Sequence, residues 1–369
     1  MAVPLLDLTR QYATIADDLE QRVLEVLRSG YYILGPNVTA FEKQAAEYVG
    51  TEYAVGLNSG TDALRISLRA LGVGPGDEVI TTAFSYFATC EVISELGAKP
   101  VFCDILYDSF NMDPEDLKAR ISSRTKAIIP VHLFGQLCDM TAIMEIAGKN
   151  NIAVVEDACQ AIGATCPAGN AGSIGDTGTF SFFPSKNLGA AGDAGLLTTN
   201  DQKIAEFAVS MRMHGTVDDR YRHERLGYNS RLDAIQAVVL SVKLDHLDRF
   251  IEKRREHAAT YDNAFRNIQS IEPAVEIEDF LHTYHQYTVR IKNGKRDSVF
   301  DRLRNTQIGC AIYYKVPLHR QPVYEDIYSD ISLPVTEKAA EEVLSLPVFP
   351  EMTESERSEV IEKISEALN

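Results

Sequence analysis

The hydrophobic positions in the first part of the chain form short apolar runs separated by longer amphipathic stretches. Strand-like runs occupy residues 53–57, 77–82, 100–105, 127–132 and 152–156. The segments between them carry apolar residues at helical spacing. This alternation predicts an α/β fold in three layers, with a mostly parallel sheet and helices on both faces.

The pattern changes after residue 231. Residues 232–265 are helical in spacing and rich in charge, with neither glycine nor proline. We place a domain change along this helix. The predicted division is an N-terminal segment plus large domain over residues 1–245 and a small C-terminal domain over residues 246–369.

The remaining segments predict that the C-terminal domain is also α/β. A strand is expected at residues 286–291 and a helix at 297–305. A last helix is predicted to start at Thr353, because Thr353 and Glu356 have capping-box spacing. At the other end of the chain, residues 7–28 predict another helix.

One lysine lies in an unusual setting. An apolar run at residues 177–183 predicts a buried strand, Pro184 ends it, and Lys186 follows in a loop of glycine and alanine. Such small residues leave room for a planar ligand. Desolvation lowers the proton affinity of an amine, and a free amine can form a Schiff base with the aldehyde of pyridoxal phosphate. The alternative is an ordinary surface lysine after a strand.

Two upstream features fit the same cofactor. Asp157 ends a predicted strand, where ligands usually meet an α/β sheet, and a carboxylate there can pair with a protonated pyridine nitrogen. A helix cap is the alternative role for Asp157. Gly60 and Thr61 belong to a small turn that opens a helix, and their free backbone N–H groups suit a phosphate. An ordinary capped helix explains that turn equally well.

Length, charge and cysteine spacing limit the classes of function that the protein can have. The length of 369 residues favours two domains, and the formal net charge of −17 argues against a nucleic-acid partner. The six cysteines show no metal-binding spacing, so no metal is expected. Neither a signal peptide nor a membrane-spanning run is recognisable, which predicts a cytoplasmic protein.

Four motifs, in order, resemble the sugar-nucleotide aminotransferases of the DegT/DnrJ/StrS family. They are NSGTDAL at residues 58–64, VVEDACQAIGA at 154–164, SFFPSKNLGAAGDAG at 181–195 and LGYNSRLDAIQA at 226–237. The similarity extends from GYYILGPNVTAFE at residues 30–42 to PVFP at 347–350. It implies the pyridoxal-phosphate-dependent transferase fold of type I, with pyridoxamine phosphate as the intermediate form of the cofactor.

The resemblance also implies roles for residues around the cofactor ring. Lys186 would carry the cofactor covalently and move protons as the catalytic residue, with Asp157 as the partner of the ring nitrogen. Gln160 would hydrogen-bond the phenolic oxygen of the cofactor. Tyr86 would stack on the ring, although an aromatic packed in the core is the alternative.

By the same resemblance, the phosphate would be held by Ser181 together with the backbone at Gly60 and Thr61. Asn229 would reach this phosphate from the other subunit, which requires a homodimer with shared active sites. Without the resemblance, Asn229 would be read as part of a cap on the helix that follows.

Residues 313–319 resemble a family loop, HYPxPLH, that lies near the sugar nucleotide. The resemblance implies that Tyr313, Tyr314 and His319 bind substrate. Tyrosine replaces the usual histidine at position 313, and Lys315 replaces the first proline of the motif.

The function implied is transamination of a nucleotide-linked keto-sugar, with glutamate as donor, for polysaccharide, lipopolysaccharide or other glycoconjugate sugars. The acceptor expected is a 3-keto hexose or hexuronic acid on UDP or dTDP, and a 4-keto sugar is the alternative. A pyridoxal-dependent lyase, such as a desulfurase, and a non-catalytic cofactor-binding regulator are further alternatives. An NAD-dependent epimerase is disfavoured, because no GxGxxG motif follows the first strand.

Overall fold

The computed structural model describes residues 2–219 and 221–368. Within them the helices are α1 (Leu8–Ala13), α2 (Ala16–Ser29), α3 (Pro36–Val49), α4 (Gly60–Ala70), α5 (Ala88–Glu95), α6 (Pro114–Arg120), α7 (Met140–Asn150), α8 (Gln202–Arg212), α9 (Ala234–Leu244), α10 (Leu247–Phe265), α11 (Arg296–Asn305), α12 (Glu325–Tyr328), α13 (Pro334–Glu342) and α14 (Glu354–Leu368). The strands are β1 (Tyr53–Leu57), β2 (Glu78–Thr82), β3 (Lys99–Cys103), β4 (Thr125–Ile129), β5 (Ala153–Asp157), β6 (Thr165–Cys166), β7 (Gly169–Asn170), β8 (Thr177–Ser181), β9 (Gly195–Thr199), β10 (Ile271–Pro273), β11 (Tyr287–Ile291) and β12 (Val343–Leu346). Two short 3₁₀ turns lie at Leu133–Gly135 and Leu318–Arg320.

The large sheet has the strand order β1-β9-β8-β5-β4-β2-β3. Strands β3, β2, β4, β5 and β8 pair in parallel, whereas β9 is antiparallel to both of its neighbours. The predicted mostly parallel α/β sheet is therefore confirmed, with one antiparallel strand that the apolar pattern alone did not reveal.

Alternate residues of the central strands face opposite layers of helices, as the twofold repeat of a strand requires. Ile80 and Val154 pack in one core with helices α3, α7 and α9. Their neighbours Val79 and Val155 pack in another core with helices α4 and α5. Both faces of the sheet are thus covered, which explains why these strands are apolar at consecutive positions.

The C-terminal part has its own three-stranded sheet, in the order β10-β11-β12. Its core includes Tyr261, Tyr287 and Phe349. The helical stretch predicted at residues 232–265 is two helices, because the chain turns between α9 and α10. Leu247 and Ile251, just after this turn, still pack in the core of the large sheet. The division of domains at residue 245 stays a prediction.

The N-terminal segment is anchored to the C-terminal part. The single helix predicted at residues 7–28 is interrupted between α1 and α2. Arg10 forms two hydrogen bonds of 2.8 Å with the carboxylate of Glu356 in α14. The predicted capping box is confirmed: the Glu356 amide donates to Thr353 Oγ1 at 3.2 Å, and the Thr353 amide donates to Glu356 Oε2 at 2.9 Å. In the described part of the chain, every helix is too short or too polar to cross a lipid bilayer.

Candidate functional site

A cavity of about 520 Å³ opens where the carboxyl ends of β5 and β8 meet the start of α4. Such a position is where open α/β sheets usually bind ligands. Of the residues predicted for the site, the cavity is lined by Gly60, Thr61, Tyr86, Asp157, Gln160, Ser181, Lys186, Tyr313 and Tyr314. The structure thus gathers residues that are far apart in sequence around one space.

Lys186 projects from the tight turn that follows β8. Its amide donates to the carbonyl of Phe183 at 2.8 Å. Gly189 lies so close to the carbonyl of Pro184 that a Cβ atom would meet it at 2.3 Å, which explains the small residue there. Among residues 2–219 and 221–368 the Lys186 amine has no hydrogen-bond or ion-pair partner. Desolvation in the cavity lowers the pKa of Lys186 below its usual range, although the negative charge of Asp157 opposes this effect.

Asp157 is 5 % exposed at the end of β5. Its Oδ2 accepts a hydrogen bond of 2.8 Å from Thr89 Oγ1, and Thr89 lies 3.0 Å from the hydroxyl of Ser85. Its Oδ1 accepts from the amide of Cys159 at 3.2 Å. These contacts fix the carboxylate without giving it a cation, so it is available to a positively charged ligand group.

Gln160 and Tyr314 form a hydrogen-bonded pair across the cavity wall. Gln160 Oε1 accepts from the amide of Phe134 at 2.9 Å, and Gln160 Nε2 donates to the hydroxyl of Tyr314 at 3.0 Å. The amide orientation is therefore set from both sides. One N–H of Gln160 remains for a ligand.

The start of α4 lies against the end of β8. A Cβ atom on Gly60 would come within 2.7 Å of Cys159 Sγ and 2.9 Å of Ser181 Cβ. Only glycine permits this approach. It leaves the first amides of α4 next to the Ser181 hydroxyl, and free amides at a helix start form an anion site.

Tyr86 and Tyr313 also line the cavity. Tyr86 is 63 % exposed. Tyr313 is half-buried beside Tyr314, with 5.8 Å between the two ring centroids. Lys315 is exposed and does not line the cavity.

Two predicted residues lie outside this cavity. Asn229 is exposed and pairs with Met213 through a β-bridge. His319 is fully buried, and its Nε2 lies 3.1 Å from Glu337 Oε1. The structure therefore gives His319 a packing environment within its own chain and does not bring it to the residues around Lys186.

Several lining residues were missed from the sequence, among them Thr89, His285 and Asp193. Thr89 follows Tyr86 by three residues, so helical spacing was a usable signal. Asp193 belongs to the SFFPSKNLGAAGDAG motif, so its closeness to Lys186 in the sequence was a usable signal. His285 lies in none of the motifs, and tertiary packing brings its segment to the cavity.

These residues fit a phosphorylated, cationic heteroaromatic aldehyde. The helix start and Ser181 suit its phosphate, Asp157 suits a protonated ring nitrogen, and Lys186 supplies an amine of lowered proton affinity. In the described ranges, no group of His, Cys, Asp and Glu side chains is arranged to hold a metal ion.

Comparison with known proteins gives a match over nearly the whole chain. The model of the "DegT/DnrJ/EryC1/StrS aminotransferase family" matches residues 13–365. A Geobacillus stearothermophilus protein named "Pleiotropic regulatory protein" is 47 % identical over 369 residues, covering 99 % of this chain and 98 % of the relative. The "UDP-2-acetamido-2-deoxy-3-oxo-D-glucuronate aminotransferase" of Pseudomonas aeruginosa is 44 % identical over 348 residues, covering 94 % of this chain and 95 % of the relative.

Solved structures of similar proteins have the same fold as this chain. The DesV protein of S. venezuelae, described as a complex with a ketimine intermediate, superposes with a TM-score of 0.96 at 38 % identity, covering 100 % of this chain and 99 % of DesV. The ntda protein from Bacillus subtilis, described with bound cofactor pmp, has a TM-score of 0.93 at 32 % identity, covering 100 % of this chain and 85 % of that protein.

Proposed function

The chain belongs to the DegT/DnrJ/EryC1/StrS aminotransferase family, and we propose that it aminates C-3 of a nucleotide-linked keto-sugar, with pyridoxal phosphate as cofactor and glutamate as amino donor. The observation that carries this proposal is the placement of Lys186 and Asp157 on the walls of one cavity at the end of the sheet. An amine of lowered pKa beside a buried carboxylate is the arrangement that this cofactor requires.

Residues on the cavity wall would hold the cofactor at three points. The amides of Gly60 and Thr61 and the hydroxyl of Ser181 would hold the phosphate. Asp157, fixed by Thr89, would keep the ring nitrogen protonated. Gln160 would donate its remaining N–H to the phenolic oxygen.

When bound, pyridoxal phosphate supplies an aldehyde and a ring that withdraws electrons from the reacting carbon. Lys186 Nζ then acts as the general base and acid, taking a proton from the substrate carbon and returning it later. Desolvation favours the neutral amine that this role needs. The same residue serves both half-reactions, first with glutamate and then with the keto-sugar.

The sugar would enter past Tyr86 and Tyr313, which line the cavity and are not buried. Tyr314 is held by Gln160 at 3.0 Å, so it can orient a substrate group close to the reacting centre. The substrate role of His319 stays a prediction; in this chain its ring is buried against Glu337.

Relatives support C-3 as the position of amination. The Pseudomonas aeruginosa relative is named for a 3-oxo-glucuronate, and a Streptomyces venezuelae relative is named for a 3-amino-trideoxyglucose on dTDP. We therefore favour a 3-keto sugar on UDP or dTDP over a 4-keto sugar.

A homodimer with shared sites follows from the role proposed for Asn229. This side chain is exposed and lies outside the cavity of its own chain. If it binds the cofactor phosphate, it does so in a neighbouring subunit.

Two other functions have less support. A desulfurase needs a reactive thiolate, but desolvation raises the pKa of the Cys159 thiol well above its usual range. A regulator is suggested by the name of the Geobacillus stearothermophilus relative. A regulatory role alone gives no reason for an amine such as Lys186 beside Asp157 in a cavity of about 520 Å³.

The test is a substrate panel. The purified protein, reconstituted with pyridoxal phosphate, is mixed with glutamate and with 3-keto or 4-keto sugars on UDP or dTDP. We expect loss of the yellow colour with glutamate, its return with a 3-keto sugar, and an amino-sugar nucleotide detected by mass spectrometry. Amination of 4-keto sugars alone would contradict the C-3 assignment, and absence of bleaching by any amino donor would contradict the aminotransferase function.

A further inference from the structure

A short segment that carries His285 is fixed tightly beside the Lys186 loop. Asn187, the residue after Lys186, donates from Nδ2 to the carbonyl of Thr283 at 2.9 Å. The Thr283 amide donates to the carbonyl of Gly135 at 2.9 Å. A Cβ atom on Gly135 would meet the His285 amide nitrogen at 3.0 Å, so the two backbones pack directly on each other.

A buried arginine completes this support. Arg254 Nη1 donates to the carbonyl of Tyr284 at 3.1 Å and to the carbonyl of Val348 at 2.6 Å. It also lies 3.5 Å from the carbonyl of His285. The backbone that carries His285 is therefore held on several sides. This fixes the position from which the side chain extends.

The ring of His285, by contrast, has no polar partner. The residue is 7 % exposed and lines the cavity. Its Nδ1 atom is completely buried without a hydrogen bond, and no described residue bonds to Nε2 either. Buried polar side chains are nearly always satisfied, so an unsatisfied one on a cavity wall indicates a group that meets a ligand.

The burial of Nδ1 decides which nitrogen carries the proton. A buried N–H without an acceptor is rarer in proteins than an unsatisfied acceptor. The stable tautomer of His285 therefore has a bare Nδ1 and an N–H at Nε2, the nitrogen that can meet a ligand in the cavity. Burial holds the pKa of His285 well below its usual range, so the ring is a neutral donor.

A neutral hydrogen-bond donor matches an uncharged oxygen acceptor better than it matches a carboxylate. A carboxylate, such as that of glutamate, is recognised best by a charged or bidentate donor. A hydroxyl of a sugar loses less solvation energy on burial and needs only one hydrogen bond to compensate.

We propose that His285 is a specificity residue for the sugar, donating a hydrogen bond from Nε2 to a hydroxyl oxygen of the nucleotide-linked keto-sugar beside the reacting carbon. This proposal rests on the proposed function, since it requires that a keto-sugar occupies the cavity. It makes His285 more important for the second half-reaction than for the first.

The test compares the two half-reactions in the holoenzyme. His285→Phe removes the donor and keeps an aromatic ring, and His285→Gln restores an N–H group. Single-turnover bleaching by glutamate should be unchanged in both variants, while the return of colour with the keto-sugar should be about tenfold less efficient in His285→Phe. His285→Gln should recover part of this loss. His246→Phe, which changes a histidine outside the cavity, should match wild type.

A binding measurement checks the same point without turnover. Calorimetry should show that His285→Phe weakens the binding of UDP-N-acetylglucosamine about tenfold and leaves the binding of UDP unchanged. If the protein uses dTDP, the corresponding probes are dTDP-glucose and dTDP. Equal losses in both half-reactions, or no loss in either, would overturn the role of His285. If wild-type protein is not bleached by glutamate, the proposed function itself fails, and that result is separate from the effect of any His285 variant.

Discussion

Thr89 donates a hydrogen bond of 2.8 Å to Oδ2 of Asp157, and both residues are buried. Thr89 comes from α5 and Asp157 from β5, so this contact joins a helix to a strand of the large sheet at the proposed ring-nitrogen site. The hydroxyl of Ser85 lies 3.0 Å from that of Thr89 and extends the network. The orientation of the carboxylate is thus set before any ligand binds.

Replacing Thr89 with valine should weaken cofactor binding. The substitution keeps the shape of the side chain but removes a hydrogen bond to a charged group, which contributes about 1.5–3 kcal/mol. We expect at least a tenfold higher dissociation constant for pyridoxal phosphate, measured by fluorescence titration. Thr89→Ser keeps the hydroxyl and should remain close to wild type. Equal affinities in the three proteins would show that Thr89 does not support the function of Asp157.

Replacing Lys186 with alanine should remove transamination. Proton transfer by a positioned side chain contributes about 10²–10⁴-fold to a rate, and no other lysine lines the cavity in the described ranges. The variant should also lose covalent attachment of the cofactor after borohydride reduction, as read by mass spectrometry. Lys149→Ala, at an exposed lysine paired with Glu145, should keep both properties. Activity in Lys186→Ala would refute the central assignment.

Replacing Gly60 with alanine should reduce both stability and cofactor affinity. Alanine favours a helix more than glycine does, but its Cβ would lie 2.7 Å from Cys159 Sγ and 2.9 Å from Ser181 Cβ. Such overpacking costs about 1–3 kcal/mol. Denaturant unfolding and cofactor titration measure the two effects. Gly74→Ala is the matched control, because nothing lies within 4 Å of a Cβ at that position. A Gly60→Ala protein as stable as that control would contradict the tight packing.

If the active sites are shared between subunits, mixing two inactive variants should restore activity. Asn229→Asp places a negative charge against the proposed phosphate of the neighbouring subunit, and Lys186→Ala removes the amine. In a mixed dimer, one site receives Lys186 from one chain and Asn229 from the other, so it is intact. Mixing after mild dissociation should therefore recover activity above that of either variant. No recovery from demonstrated heterodimers would contradict a shared site.

The contact between Arg10 and Glu356 should make stability depend on pH. Hydrogen bonding to Arg10 lowers the pKa of Glu356 below its usual range. A carboxyl with a lowered folded pKa stabilises the protein above its unfolded pKa of about 4.3, and this contribution disappears as pH falls through the folded value. Glu356→Gln should therefore lose about 1–3 kcal/mol at pH 7, with the difference shrinking in acid. Denaturant unfolding across pH measures this, and Glu362→Gln, at an exposed position in the same helix, should show little change. A difference that persists at low pH would contradict the electrostatic origin.

Much of the candidate site could be predicted from the sequence because its residues lie next to strand ends. Asp157 follows an apolar run, and Lys186 follows another after a proline. The carboxyl ends of parallel strands lie along the same edge of a sheet, so both residues were expected at that edge. The cavity, with Gly60, Gln160 and Ser181 on its walls, agrees with that expectation.

Residues whose position depends on long-range packing could not be placed from the sequence. His319 belongs to a familiar motif, but its ring turns into the protein toward Glu337. His285 has no motif of its own and reaches the cavity because Gly135 and Arg254 hold its backbone there.

The sequence by itself determined the α/β alternation, the family and the lysine–carboxylate pair, since these depend on local periodicity and on residues at strand ends. The tertiary structure alone decided the antiparallel β9, the interruption between α9 and α10, and which side chains face the cavity. The physical reason is that local patterns report burial, whereas the direction in which a buried group points depends on neighbours distant in the chain.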